Sequence, residues 1–164
     1  MRTRKVKLEA DYPDTLTSIA NLASTYRNQG RWEEAEKLEV QVMETRKTKL
    51  RADHPSTLTS MANLASTFWN QGRWKEAEEL EVQVMETRKR VLGEEHPDML
   101  TSMHNLAFTL HSQAHHKEAF TLMERCSQLR EQVLGEQHPD TQVSLNTLSD
   151  WQAKCSVGRG RGRR

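Results

Sequence analysis

The sequence predicts an all-α protein, a solenoid of antiparallel helix pairs. A block running from Asn21-Leu22-Ala23 to Ala35-Glu36 recurs 42 residues later and again, more loosely, after 42 more. Repeats spaced roughly 20 to 50 residues apart are typical of solenoids, in which each unit buries its apolar face on its neighbour. Strong helix formers are abundant and aromatic residues make up only 5% of the chain, which favours helix throughout. Prolines mark the same period: Pro13, Pro55, Pro97 and Pro139.

Each repeat is predicted to hold two helices. The first helix begins near Pro13, with Asp14 placed to accept the free backbone N–H groups of its first turn. It ends at Gly30, because glycine can adopt the left-handed backbone that reverses the chain. Its apolar face follows helical spacing, with Leu16, Ile19, Leu22, Ala23 and Tyr26.

The second helix is predicted from about Trp32 to Leu50. In the second repeat its counterpart ends at Gly93, a glycine stop, whereas the first repeat has Arg51 at that position. Since arginine does not readily adopt the backbone that glycine allows there, we expect the junction after Leu50 to be less sharply turned.

The period divides the chain into segments. The first two repeats are identical at 30 of 42 aligned positions. Residues 1–11 align with 43–53, so they are predicted to be the second helix of a truncated repeat, with Val6 and Leu8 exposed. We expect repeats at 12–53, 54–95 and 96–137, a capping helix at 138–155 and a disordered Gly/Arg tail at 156–164.

Composition and charge favour a cytoplasmic protein. No apolar run approaches the ~20 residues that cross a bilayer, so no membrane partner is expected. Cys126 occupies the position of Val42 and Val84, which indicates a buried apolar residue and a reducing compartment. The net charge of +1 hides basic ends around an acidic body. Arginines without interleaved aromatic residues bind nucleic acid weakly, so we do not expect a nucleic-acid partner.

The sequence offers no catalytic, cofactor or metal site. It has no Gly-rich phosphate loop and no nucleophile with a plausible base, so we do not expect an enzyme or a cofactor. His111 and His115 are four residues apart, but this segment crosses a turn and no nearby Cys or Asp completes a tetrahedral set. His54, His96 and His138 recur with the repeat and therefore belong to its architecture.

The repeat resembles the tetratricopeptide repeat, in the 42-residue form of kinesin light chains. The resemblance rests on Leu-Ala in the first helix, Gly-Arg-Trp at the turn, Glu-Ala in the second helix and the connector Leu92–Asp98. Near-identical tandem copies also resemble the repeat arrays of fungal NB-ARC or NACHT receptor-like proteins. The resemblance implies a right-handed superhelix whose concave groove, lined by the first helices, binds peptides or partner proteins. It places the closest helix contacts at small residues: Ala23, Ala35, Ala65, Ala77, Ala107 and Ala119.

The same resemblance assigns ligand contact to the asparagine before each Leu-Ala pair: Asn21, Asn63 and Asn105. An amide offers both a donor and an acceptor, which an extended peptide backbone requires. An asparagine that bonds the neighbouring helix to set the repeat spacing explains the pattern equally well.

Four further groove candidates are residues that break the repeat. Trp69, His104, Phe108 and His111 stand where the first repeat has Arg27, Ala20, Ser24 and again Arg27. Stacking does not require these exchanges, and buried aromatic residues dominate interface energetics. We predict an apolar pocket formed by the second and third repeats, with Arg27 as its counterpart in the first. The alternative is a degenerate repeat whose aromatic residues fill local voids.

The sequence therefore predicts a non-catalytic module that binds a peptide or partner protein, which can be the rest of a larger parent chain. The alternative is a structural or self-associating repeat segment of a receptor- or scaffold-type protein. In that case weak self-association would use the N-terminal helix, through Val6 and Leu8.

Overall fold

The computed structural model describes residues 13–160, with side chains to residue 157. This part of the chain contains seven α-helices and no strand, which confirms the predicted all-α repeat fold. The predicted helix at 1–11 and its residues Val6 and Leu8 lie outside the described residues. The helices are α1 (Pro13–Asn28), α2 (Trp32–Leu50), α3 (Pro55–Asn70), α4 (Trp74–Leu92), α5 (Pro97–Ser112), α6 (His116–Leu134) and α7 (Pro139–Gly160).

The chain forms two compact units, residues 1–87 and 88–164. In the first unit α1 packs on α2 and α2 on α3; in the second α5 packs on α6 and α6 on α7. Helices approach closely where side chains are small. The six alanines that the resemblance placed at these contacts are all fully buried: Ala23, Ala35, Ala65, Ala77, Ala107 and Ala119.

Histidine, and not aspartate, caps the first helices α3, α5 and α7. His54 is extended at the N-cap of α3, and its Nδ1 accepts the backbone N–H of Ser56 at 3.1 Å. Pro55 occupies the first helical position, where a missing N–H costs nothing. The expectation of an aspartate cap at Asp14 is corrected, because its counterparts lie inside the first turn. The same cap recurs at α5 and α7, from His96 to Asp98 and from His138 to Asp140.

The turn inside each of the first two helix pairs is held by an arginine that stacks on the first helix. Gly30 has φ +76°, and the next residue, Arg31, lies over the ring of Tyr26 at 4.1 Å. Arg31 also pairs with Glu34 on the first turn of α2. Arg73 repeats this arrangement, because it lies 4.2 Å over the ring of Phe68 and pairs with Glu76 and Glu36.

A buried arginine joins each second helix to the first helix that follows it. Arg46 of α2 donates to Ser60 Oγ at 2.8 Å and to the Ser56 carbonyl at 3.3 Å. This feature, which we call the Arg-Ser clamp, was missed by the sequence reading. The sequence signal for the clamp is an arginine that recurs every 42 residues on the apolar face of the second helix. The clamp recurs between Arg88 and Ser102, at 2.8 Å, and between Arg130 and Ser144, at 2.6 Å.

The prediction of a gentler junction after Leu50 was wrong. Arg51 has φ +89° and ψ 160°, almost the backbone of Gly135, with φ +92° and ψ 157°. Its carbonyl accepts the hydroxyl of Thr57 at 2.9 Å, so α3 holds the connector in this shape. The junction therefore has the same backbone geometry with arginine as with glycine. The arginine is held in a strained conformation with positive φ.

Helix α7 runs to Gly160, beyond the predicted end of the cap at residue 155. Residues 156–160, which were predicted to begin a disordered tail, are therefore helical, and residues 161–164 lie outside the described part. Extending an existing helix adds one hydrogen bond for each residue fixed, so it is far easier than nucleating one. Ser156 joins the helix and its hydroxyl donates to the Gln152 carbonyl at 3.1 Å.

Replacing Arg51 by glycine should stabilise the protein. Glycine adopts a φ of +89° without a Cβ penalty, and the exposed Arg51–Asp53 pair at 3.9 Å contributes little. We expect a gain of about 1 kcal/mol in the free energy of unfolding, measured by urea titration with circular dichroism. The matched control is Gly93→Arg, at φ +89°, which should destabilise. Equal midpoints for Arg51→Gly and wild type would contradict the strain.

Candidate partner-binding surface

The three asparagines lie at equivalent positions on α1, α3 and α5. Asn21 is exposed, and Asn63 and Asn105 are partly buried. None of their side-chain amides hydrogen-bonds to another residue of the part that the structure describes. Among the described residues, these amides show no bond to a neighbouring helix that would set the repeat spacing. In the first unit α1 also contacts α3, the helix that carries the second of these amides.

Arg27 is occupied by contacts within the first unit. Its guanidinium donates to Glu39 Oε1 at 3.2 Å and to the Asn63 backbone carbonyl at 3.0 Å. Glu39 is only 4% exposed, and its second oxygen accepts the hydroxyl of Thr67 at 2.5 Å. We call Arg27, Glu39 and Thr67 the polar triad. It joins α1, α2 and α3, so Arg27 has a structural role and offers little to a ligand.

Burial changes the pKa of the Glu39 carboxyl more than its hydrogen-bond partners do. Desolvation raises its pKa, although Thr67 and Arg27 both act to lower it. A buried ion pair commonly fails to recover the full desolvation cost. The polar triad therefore fixes the register of the three helices more than it adds stability.

Trp69 stands at the position of Arg27 on the next first helix. Its side chain is 38% exposed, although an indole this large usually lies mostly buried in a monomer. In the same first unit Asn63 lies six residues earlier on α3, so an amide and a large apolar side chain belong to one helix. A partly exposed indole offers a large apolar area, and tryptophan is enriched at binding hot spots.

His104 lies between helices of the second unit and not in open solvent. Its Nδ1 is 3.2 Å from Arg130 Nη1 and 3.5 Å from Ser144 Oγ, so it adjoins an Arg-Ser clamp. Guanidinium can only donate, so Nδ1 accepts and the ring proton resides on Nε2. Burial, followed by the charge of Arg130, lowers the pKa of His104 from 6.5 to about 4.

Phe108 and His111 form an aromatic cluster with Trp151 of α7. Phe108 meets Trp151 edge-on with 5.5 Å between centroids, and His111 stacks on Trp151 at 4.3 Å and 8°. Burial and then the charges of His116 and Lys154 lower the pKa of His111. These side chains pack against one another within the second unit.

The sequence analysis did not predict a role for Trp151, although its departure from the repeat is visible in the sequence. It stands where the earlier first helices have Thr25, Thr67 and Thr109, and it is buried. Its neighbour Met123, fully buried in the same cluster, occupies the position of Glu39. The polar triad of the first unit thus corresponds to His111, Met123 and Trp151 in the second. These two sets differ at all three positions, whereas the intermediate set of Trp69, Glu81 and Thr109 differs from the first only at the arginine.

Several cavities border these helices. One of about 240 Å³ in the second unit is mostly apolar and is lined by His111, His116, Lys117, Phe120, Thr121, Trp151 and Cys155. Another, about 1100 Å³ and wide open, lies in the first unit beside Arg31, Trp32 and Arg73. Within residues 13–157 no three His, Cys, Asp or Glu side chains are grouped to hold a metal ion. No described helix is long and apolar enough to cross a membrane.

Comparison with known proteins matches the repeat to a described family. The tetratricopeptide repeat family model matches residues 15–56, 57–98 and 99–140, three consecutive segments with the 42-residue period. None of the curated proteins matches the chain.

Solved structures share the fold. Two crystal structures show the nearly identical TPR-like repeats of a Podosopora anserina protein assigned as a kinesin light chain. A glutamine-to-methionine variant of that protein has a TM-score of 0.78, and the other form has a TM-score of 0.76. Each is 31% identical in sequence to this chain, and each match covers 96% of this chain and 75% of the other. BtubC (BKLC) from P. vanneervenii has a TM-score of 0.78 at 21% identity, covering 88% of this chain and 58% of its own. That last likeness concerns the fold alone.

Acid should destabilise the second unit through His104. Its pKa is lower folded than unfolded, so protonation favours the unfolded chain and stability falls as pH drops from about 6.5 to about 4. The loss should be on the order of 3 kcal/mol. His104→Ala, which restores the residue of Ala20 and Ala62, should remove this part of the pH dependence. Urea titrations of both proteins at pH 7 and pH 4 measure it, and parallel losses would contradict the assignment.

Proposed function

The chain belongs to the tetratricopeptide repeat family, and we propose that it is a non-catalytic module that binds an extended peptide segment of a partner protein. The binding surface is the exposed side of the first helices around Asn21 and Asn63 in the first unit and around Asn105 in the second. Members of this family generally act in protein–protein interaction. A cytoplasmic location belongs to the proposal, supported by the free thiols of Cys126 and Cys155.

The observation that carries the proposal is the asparagine amide that recurs at the same position of α1, α3 and α5. Many polar side chains of the first helices form hydrogen bonds within the protein, as Ser60 and Thr67 do. The amides of Asn21, Asn63 and Asn105 recur once per repeat without such a bond within the described residues. A peptide backbone needs a donor and an acceptor at regular intervals, and an amide supplies both.

Selection of side chains on the ligand would fall to the residues that vary beside these amides. In the first unit Trp69 is the largest of them, with 38% of its surface exposed. In the second unit the equivalent position, His111, is held against Trp151, so it offers less free surface. We therefore assign the main apolar contact of the ligand to Trp69. The affinity should be micromolar, about −8 kcal/mol, since the peptide must be ordered on binding.

The amide contact can be tested with peptides selected from a displayed random library against the full chain. Asn63→Ala should weaken the binding of selected peptides about tenfold, since one amide makes two backbone hydrogen bonds. Gln41→Ala, an exposed amide on α2 of the same unit, is the control and should bind as wild type does. Fluorescence anisotropy measures the Kd values. Selected peptides that bind Asn63→Ala as tightly as wild type would contradict the surface assigned here.

The apolar contact has a matched pair of tryptophans. Trp69→Ala should weaken the same peptides by about 2 kcal/mol, roughly thirtyfold, because a partly exposed indole becomes fully buried by the ligand. Trp74→Ala removes an indole of nearly equal exposure, 39%, at the start of α4. It should leave the Kd unchanged, and circular dichroism should show unchanged helix content for both variants. Equal losses from both variants would place the ligand elsewhere.

A further inference from the structure

The solvent-facing side of α3 carries no charged residue. Its exposed and partly exposed positions recur at steps of three and four residues, so they form one line along the helix. We call this line the neutral stripe; its members are Pro55, Ser56, Thr59, Ala62, Asn63, Ser66, Trp69 and Asn70. By contrast, nine of the nineteen residues of α2, and nine of the nineteen of α4, are Glu, Lys or Arg. Charge is thus concentrated on the second helices.

The equivalent positions of α1 add no unmatched charge beside Asn21. Arg27, at the position of Trp69, is only 18% exposed, and its guanidinium lies 3.2 Å from the carboxylate of Glu39. Asp14 lies in the first turn, seven residues before Asn21, which places it about 10 Å away along the helix. The side chains between Asp14 and Arg27 on α1 are all uncharged.

In the second unit α5 is neutral through its histidines. His104 and His111 lie on either side of Asn105 along the helix, at positions where a protonated ring would add charge. Burial and then the charge of Arg130 lower the pKa of His104 to about 4, and burial also lowers the pKa of His111 below its ordinary 6.5. Both rings are therefore largely uncharged at pH 7.

The hydroxyls of the neutral stripe already donate their protons. Thr59 Oγ1 donates to the Pro55 carbonyl at 3.0 Å, and Ser66 Oγ donates to the Ala62 carbonyl at 3.1 Å. A hydroxyl whose proton is used in this way has only lone pairs to offer a ligand. If the Asn63 amide holds the ligand backbone, a ligand carboxylate, which can only accept, would face these lone pairs without a proton between them.

We propose that the peptide segment bound along the neutral stripe is itself uncharged, and that acidic side chains are excluded most strongly. This inference rests on the proposed function, because it describes the ligand of the same surface. A charged side chain that leaves water for a neutral surface loses its hydration and gains no counter-charge. Serine, threonine, amide and aliphatic side chains avoid that cost, since they pair with the hydroxyls or pack on Trp69.

Peptides selected against the full chain from a displayed random library test the charge of the ligand. Only those that Asn63→Ala weakens are compared, so each of them reports on this surface. Their Kd, measured by fluorescence anisotropy, should change less than about twofold between about 50 and about 500 mM NaCl, a range over which charge interactions are screened. Replacing a serine or threonine of such a peptide by Asp should weaken binding about tenfold, and replacing it by Asn should change the Kd little.

Two failures are distinguishable in this selection. Asn63-dependent peptides that are rich in Asp and Glu, or that bind more weakly as salt rises, would overturn the inference and leave the proposed function standing. A selection without any Asn63-dependent peptide would overturn both.

A matched pair of threonines tests whether the neutrality of the stripe excludes the acidic peptide. Thr59 on α3 and Thr48 on α2 are both exposed, and the hydroxyl of each donates to the carbonyl four residues earlier. Thr59→Lys should strengthen the binding of the Asp-substituted peptide about threefold at low salt, because it supplies the missing counter-charge. Thr48→Lys changes the net charge equally and should leave that Kd unchanged. Equal Kd values for the two variants would overturn the inference.

Discussion

The fold depends on one contact that is made again in every repeat, the Arg-Ser clamp. A guanidinium from a second helix donates to a serine hydroxyl and to a carbonyl in the first turn of the next first helix, as Arg46 does to Ser60 and Ser56. Burial makes this position costly for a charge, and it lowers the pKa of both Arg46 and Arg88. Because the guanidinium has fixed donor directions, it sets the register between neighbouring helix pairs more strictly than apolar packing would.

The clamp leaves other junction positions free to vary. In the first unit the contact beside it is the polar triad of Arg27, Glu39 and Thr67; in the second its positions hold His111, Met123 and Trp151. These positions do not vary as one group, because the intermediate set of Trp69, Glu81 and Thr109 replaces the arginine alone. The aromatic version in the second unit relies on apolar area and ring stacking in place of charge.

The sequence predicted the helices well because the 42-residue period, the proline before each first helix and the apolar spacing all report local structure. It also located the close helix contacts, because a small residue such as Ala65 marks such a contact by its size alone. It could not identify the neighbours of a side chain that breaks the repeat. His104 and Phe108 were assigned to a groove because they depart from alanine and serine, yet their rings pack on other parts of the second unit. Trp151 escaped notice because it replaces a threonine whose own contact is invisible to periodicity.

The surface that we propose for partner recognition excludes side chains that the fold uses heavily. Arg27 and the clamp arginines are occupied, His104 is held by Arg130, and the aromatic cluster of the second unit packs within its own helices. The proposed surface keeps an asparagine amide on α1, α3 and α5 and, in the first unit, the 38% exposed Trp69. A constant amide suits the unvarying backbone of a ligand, whereas a residue that changes between repeats suits its side chains. This division would let near-identical repeats hold one peptide in register while a single departure decides which peptide it is.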